Sequence, residues 1–276
     1  MKGKLYIVPT PIGNIKDITL RALDILNEVD LVYAEDTRVT KVLFSHYDIK
    51  TQLYSYHMFN EADVSEQIIT KLNQGLNIAM VSDAGMPGIS DPGYLIISKA
   101  IKEDIEVIVL PGPTAYITAV VGSGMPINRT LFYGFLEHKK SSKLKELKAL
   151  VDNKETLIFY ESPKRLDETI KLMAEVFGNR KVVIARELTK KYEEYIRSTL
   201  DELSKQDLNL KGEITIILEG AKIDSLALKL NELDILQHYN YYIDLGFSDK
   251  DAMKEVAKDR EISKSIVYKE ILEKKV

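Results

Sequence analysis

The chain of 276 residues has no cysteine. That absence removes a disulfide framework, thiolate catalysis and Cys-ligated metal together. Its four histidines, His46, His57, His138 and His238, are dispersed and show no metal-ligand spacing, so no metal is expected. No apolar run is long enough to span a bilayer. No charged-then-apolar-then-small leader pattern is seen, and a cytoplasmic protein without membrane attachment is expected. G-x-G-x-x-G and G-x-x-x-x-G-K-[ST] are both missing, which argues against a dinucleotide fingerprint and a phosphate-cradling P-loop. A serine nucleophile elbow is also missing. Nor is there an excess of positive charge. Lys and Arg number 38 against 42 Asp and Glu, for a formal net charge of −4. An indiscriminate nucleic-acid coat would be strongly basic.

What remains is an ordinary globular composition, 45% hydrophobic and 29% charged. The length suits two modest domains plus an extension. Short apolar runs at Leu5–Pro9, Leu31–Ala34, Leu76–Val81 and Ile105–Gly112 alternate with helical spacings over Asp17–Asp30 and Glu61–Gly75. Strands alternating with helices predict an α/β domain with a mostly parallel sheet over 1–128. After the Gly- and Pro-containing stretch Gly122–Arg129 the spacing tightens. Runs at Thr130–Leu136, Glu155–Ser162, Lys181–Glu187 and Gly212–Gly220 flank a helix over Pro163–Phe177. A second α/β domain over 129–220, with some antiparallel pairing, is expected. Residues 221–276 read as helical, with Ser248 and Ser263 as caps in a helix-turn-helix-like arrangement. A plain helical appendage is the equally weighted alternative.

Three loops follow predicted parallel strands: "PTPIGN" (Pro9–Asn14), "SDAGMPGISDPG" (Ser82–Gly93) and "PGPTA" (Pro111–Ala115). The C-terminal edge of such a sheet is where ligands bind. Glycine allows close backbone approach and proline stiffens a loop, so backbone N–H and C=O groups are presented rigidly. A carboxylate such as Asp83 accepts hydrogen bonds from hydroxyls or an ammonium. The combination suits a nucleoside-like ligand lacking phosphates. The second half of the long loop reads differently: Ser90 or Asp91 as helix N-cap, with Pro92 in the first turn.

Eight stretches occur in order: "VPTPIGNIKDITLRAL", "AEDTR", "VSDAGMPGISDPGY", "LPGPTAYITA", "GFL", "TLIFYESPKRL", "ARELTKKYE" and "GEITIILEG". Together they resemble the tetrapyrrole-methylase superfamily, and within it the branch acting on small-subunit ribosomal RNA. The resemblance covers nearly the whole chain. It implies two α/β domains with S-adenosylmethionine (SAM) in the cleft between them, and a homodimer. It implies cofactor contacts from Pro11, Gly13, Ser82, Asp83, Ala84, Gly85, Thr114 and Ala115, with Glu161 and Leu188 closing over from the second domain. Two departures stand out. Met86 replaces the usual Thr after the glycine of "DAG", so it packs rather than donating a hydrogen bond. Lys164 replaces the common His of "SPHR", which rules out a histidine base there.

The implied reaction is methylation of a cytidine ribose 2′-hydroxyl in the decoding region of 16S ribosomal RNA, with the 30S subunit as partner. The sulfonium is already activated, so placement supplies roughly 7–11 kcal/mol of the barrier. A base adds roughly 3–5 kcal/mol. Candidate catalytic residues are Glu161 and Glu187, with Arg186 beside the latter; Glu35 and Asp36 rank below. Pairing of these carboxylates with Arg38, Arg165 or Arg186 is the competing role. Arg38, Lys139, Lys140, Lys164, Arg165 and Lys190 are candidate RNA contacts. Tyr56, Phe59 and Tyr133 are candidate stacking groups, core packing being the stronger reading for Tyr133. The alternatives are a porphyrinoid C-methyltransferase, whose relatives lack "EDTR" and "ESPKR" with a helical tail, and a non-catalytic SAM-binding ribosome-assembly factor.

Overall fold

The computed structural model describes residues 1–221, 230–260 and 262–274. Two compact units are present, residues 1–220 and 221–276. The first unit contains two sheets.

The first sheet is built from β1 (Leu5–Ile7), β2 (Leu31–Ala34), β3 (Gln52–Ser55), β4 (Ile78–Val81) and β5 (Val107–Val109), in the order β3-β2-β4-β1-β5. Every pairing is parallel. Strand alternation divides the side chains between two faces. Leu5, Ile7, Leu31, Tyr33, Ile78 and Met80 join α3 (Glu61–Asn73) and α4 (Tyr94–Lys102) in one core. Val32, Ala34, Ala79 and Val81 join α1 (Leu20–Glu28) and α2 (Thr37–His46) in the other. Burial on both faces explains why these strands read as continuous apolar runs. The helix expected over Asp17–Asp30 is shorter. Thr19 caps it by accepting from Ala22 N, and its buried residues are Ala22 and Leu26.

The second sheet has the order β6-β7-β10-β8-β9, from β6 (Thr130–Phe135), β7 (Thr156–Glu161), β8 (Lys181–Arg186), β9 (Glu194–Thr199) and β10 (Ile214–Leu218). Only β6 and β7 pair in parallel; β10 runs antiparallel to β7 and β8, and β9 antiparallel to β8. One face is covered by α6 (Lys140–Ala149), α7 (Pro163–Phe177) and α8 (Leu200–Leu203). Leu166, Ile170, Met173 and Phe177 give α7 an apolar stripe at helical spacing. The other face is covered by α5 (Ala115–Ser123), through Ala119 and Val120, together with Ile12 and Leu188. α5 thus follows the last strand of the first sheet in sequence but packs on the second.

Among the described residues, α2, β3, α5, α6, α8 and β9 escape the sequence reading. β3 and β9 lie at sheet edges and alternate only weakly. α6 is lysine-rich, and its core contact includes a fully buried lysine, Lys143. The cap expected from Ser90 or Asp91 is not formed. α4 starts at Tyr94 and its N-cap is Gly93, at φ 152° with no side-chain cap. Only glycine holds that backbone without strain, so the chain enters the helix through Gly93.

In the second unit, α9 (Ile235–Asp244), α10 (Asp249–Asp259) and α11 (Lys264–Lys274) surround Tyr239, Val256, Val267 and Ile271. Ser248 caps α10 as expected, accepting from Asp251 N. Buried His238 accepts from Arg260 Nε at Nδ1 and lies 3.1 Å from Asp259 at Nε2. Asn231 and Tyr242 also contact Asp259, which makes this polar group a knot of the bundle.

Candidate active site

The loops after β1, β4 and β5 lie together at the C-terminal edge of the first sheet, as parallel topology requires. The first two are stitched by a two-residue bridge. Thr10 N donates to Gly85 O (2.9 Å), Gly85 N to Thr10 O (3.0 Å), and Thr10 Oγ1 to Ser82 O (3.0 Å). Facing them, β7, β8 and β10 of the second sheet complete a cavity of about 450 Å³, a normal size for a small-molecule site.

Seven of the expected cofactor residues line it: Asp83, Ala84, Gly85, Thr114, Ala115, Glu161 and Leu188. Three do not. Ser82 is buried beneath the loop, its hydroxyl donating to Gly85 O at 3.1 Å. Pro11 lies off the lining; its neighbour Ile12 takes that place. Gly13 serves a different contact. A Cβ there would lie 2.7 Å from both Leu188 O and Thr189 Oγ1 and 2.5 Å from Lys190 Cγ. Its neighbour Asn14 donates its backbone N–H to Thr189 Oγ1 at 2.8 Å. Gly13 is therefore where the first loop and the "AREL" loop touch. In that loop Glu187 and Thr189 both have positive φ, 50° and 64°, a rare backbone for residues with side chains. Leu188, held between them, is buried against Ile12.

The carboxylates named as catalytic candidates are engaged. Glu161 has a side chain 1% exposed. It accepts from Thr169 Oγ1 (2.6 Å) and Ser162 N (2.8 Å), with Arg165 Nε at 3.3 Å and Lys143 Nζ at 3.8 Å. Arg165 Nε makes no aligned hydrogen bond, so that pairing is coulombic. Glu187 accepts from Lys190 Nζ and Glu213 N, both at 3.0 Å, and is absent from the cavity lining. These bonds and the nearby cations outweigh burial and hold its carboxyl below the usual range. Arg186 is bound to Glu194 at 2.6 Å and is likewise off the lining.

The expected RNA contacts divide as well. Lys139, Lys140 and Lys164 are exposed. Arg38 is exposed but forked onto Asp36. Lys190 is tied to Glu187 and Glu213. Arg165 turns inward, donating to Leu136 O (2.6 Å) and Glu137 O (3.0 Å). It braces the loop after β6 and has no free fork for a phosphate. Of the stacking candidates, Tyr56 is fully buried, Tyr133 packs on Phe159, and Phe59 is 90% exposed.

Phe135 was not anticipated. It lines the cavity and is 53% exposed. The register of β6 slips between Phe132 and Gly134, with Gly134 at φ 83°. This one-residue bulge puts Phe132 and Phe135, three apart, on the same face. Both then contact Tyr160, at 5.0 and 5.5 Å between ring centroids. A bulge is invisible to a period-two reading, and only the glycine in "YGF" hints at it.

Glu35, Asp83 and Asp91 also share the cavity. Burial raises all three; the charge of Asp83 adds to it at Glu35, that of Asp36 at Asp83, and those of Glu35 and Asp83 at Asp91, which is pushed up to about 7. Asp83 is held by Asp36 N, 2.9 Å from its Oδ1. Met86 packs against the first core while bordering the cavity, as its apolar side chain requires.

A parallel sheet facing a mixed sheet across a loop-lined cavity is the fold of the tetrapyrrole methylases. The family model for tetrapyrrole (corrin/porphyrin) methylases matches residues 4–204. Solved structures of the same fold include a diphthine synthase (TM-score 0.61, 14% identity, covering 79% of this chain and 90% of that one). Another is the uroporphyrin-III C-methyl transferase from Thermus thermophilus complexed with S-adenosyl homocysteine (TM-score 0.57, 17% identity, 79% and 97%). Sequence relatives are much nearer. Ribosomal RNA small subunit methyltransferase I of Halalkalibacterium halodurans is 47% identical over 97% of this chain and 94% of that protein. That of Bacillus subtilis is 45% identical over 96% and 93%. The chain belongs to the tetrapyrrole methylase superfamily and, within it, to the family of ribosomal RNA small subunit methyltransferase I.

Proposed function

We propose that this protein transfers a methyl group from SAM to small-subunit ribosomal RNA, at a cytidine ribose 2′-hydroxyl in the decoding region. The carrying observation is the cavity itself. One rim is the edge built from the loops after β1, β4 and β5; the other bears the exposed Phe135, with Lys139 and Lys140 shortly after it in sequence and Lys164 next to the lining residue Pro163.

The lining suits the methyl donor. Ile12, Ala185, Leu188 and Ile214 offer apolar walls for an adenine. Glu35 and Asp83 offer carboxylates to ribose hydroxyls and to the donor's cationic groups. When bound, the donor supplies an activated methyl. The chain's residues position it, exclude water and receive the acceptor. Phe135 offers a base-stacking face worth about 1–3 kcal/mol, and the three lysines offer charge to phosphates. With a net charge of −4, the protein selects structured RNA over RNA in general.

The test is incubation with methyl-labelled SAM and 30S subunits, free 16S RNA or uroporphyrinogen, followed by digestion to nucleosides. Label in 2′-O-methylcytidine from the RNA is expected. Label in the porphyrinoid, or none despite donor binding, overturns the reading.

A further inference from the structure

Arg165 is absent from the cavity lining, yet Glu161, Ser162 and Pro163, just before it, belong to that lining. Its side chain is only 17% exposed. Burying a guanidinium carries a desolvation penalty, so its partners are informative. Behind it stands Glu161, with Oε1 3.3 Å from Arg165 Nε and the carboxylate itself held by Ser162 N and Thr169 Oγ1. At the far end of the fork, Nη2 donates to Leu136 O at 2.6 Å and Glu137 O at 3.0 Å, and Nη1 lies 3.3 Å from His138 Nδ1. These are the three residues directly after Phe135. The paired register of β6 with β7 ends at Phe135, opposite Tyr160, so Leu136 and Glu137 lie beyond the ladder. Next come Lys139, the N-cap of α6 without a side-chain cap bond, and Lys140, both exposed.

We propose that Arg165 is a positioning residue for the RNA acceptor: anchored on Glu161, it fixes the backbone of residues 136–138 and so sets Phe135 at the cavity and Lys139 and Lys140 behind it, an assignment that rests on the function proposed above. Arginine is required for its shape. A lysine ammonium supplies charge at one point, whereas the planar fork reaches a carboxylate on one side and two carbonyls on the other. Placement is what the rim contributes to the reaction, and a shift of about 1 Å in such a group is worth about 10²-fold. Glu161 thereby acts from the cavity wall on the rim, without taking a proton.

The test uses the full chain with 30S subunits and labelled SAM. Arg165→Lys keeps a cation beside Glu161 and loses the fork. It should raise KM for 30S subunits about tenfold, while kcat and S-adenosylhomocysteine affinity stay within about threefold. Lys139→Gln with Lys140→Gln should also raise KM about tenfold and lower the slope of log KM against log salt by about 2. In the Arg165→Lys background the same pair should add less than about threefold, because lysines on an unfixed rim no longer meet their phosphates. Amide hydrogen exchange over residues 136–140 should quicken in Arg165→Lys while β7 keeps its protection. Arg165→Gln gives the same readings should Arg165→Lys melt below the assay temperature.

A KM within about threefold of wild type in the Arg165 variant overturns the proposal, as does full additivity of the arginine and lysine changes. So does a loss of donor affinity equal to the rise in KM, which makes Arg165 a prop of the cavity and not of the rim. An unchanged KM in the lysine pair removes the rim as an RNA contact and the proposal with it. Absence of RNA methylation by wild type overturns the function itself.

Discussion

Asp91, in the cavity lining, carries a consequence for stability. Its folded-state value of about 7 lies above its ordinary 3.8. Between these values the folded state binds more protons than the unfolded, so stability falls as pH rises through that window. Asn carries no charge and removes the penalty. Asp91→Asn should raise stability by about 1 kcal/mol at pH 8, allowing for solvent screening of a partly exposed group, and by nothing at pH 4. Chemical denaturation at the two pH values checks this. Phe135 makes the complementary case at the rim. Phe135→Ala should raise KM for 30S subunits about tenfold, Phe135→Tyr should not, and donor affinity should hold for both. Equal loss of donor affinity in the Ala variant makes Phe135 a wall of the donor site.

Between elements, the critical contacts are those joining distant loops. Gly13 sits where the first loop meets Leu188 and Thr189. Two of the three neighbours are a backbone carbonyl and a β-branched side chain, which yield little. Gly13→Ala should cost about 2 kcal/mol and weaken donor binding by moving Leu188; a thermal melt and calorimetry measure both. On the far side, Lys143 of α6 is fully buried, donates to Thr169 Oγ1 at 2.8 Å and faces Glu161 and Glu168. It ties α6 and α7 to the end of β7. Lys143→Met should destabilise by about 3 kcal/mol, because Glu161 then keeps a buried charge with one partner fewer. Adding Glu161→Gln should recover part of that loss in urea titrations.

At the scale of the molecule, the cavity draws its lining from Ile12 to Thr215, all within residues 1–220. That unit has its own cores on both faces of both sheets. A chain ending at Gly220 should fold and bind S-adenosylhomocysteine within about threefold of the full chain. Calorimetry reads this directly, and any loss of 30S methylation in that truncation assigns the helical unit to RNA recognition.

The apolar periods of β1, β2 and β4, and of α1, α3 and α7, are properties of neighbouring residues, so those elements and the α/β class were legible before any coordinates. The three loops were legible for the same reason: glycine and proline act on their own backbone. The edge strands β3 and β9 were not, because half-exposed strands alternate weakly. Nor was the bulge that turns Phe135 into the cavity. The carboxylates mark the limit most sharply. Glu161, Glu187 and Asp91 look alike in a chain, and a charge's role depends on what surrounds it in space. Lys143, 18 residues before Glu161, and Glu35, 56 residues before Asp91, are brought in by the sheets. The local pattern determined most of the elements, the loop-lined edge of the first sheet and the family. Only the tertiary structure decided which carboxylates are paired with cations and which crowd together in the cavity, because desolvation and coulombic coupling act through space and not along the chain.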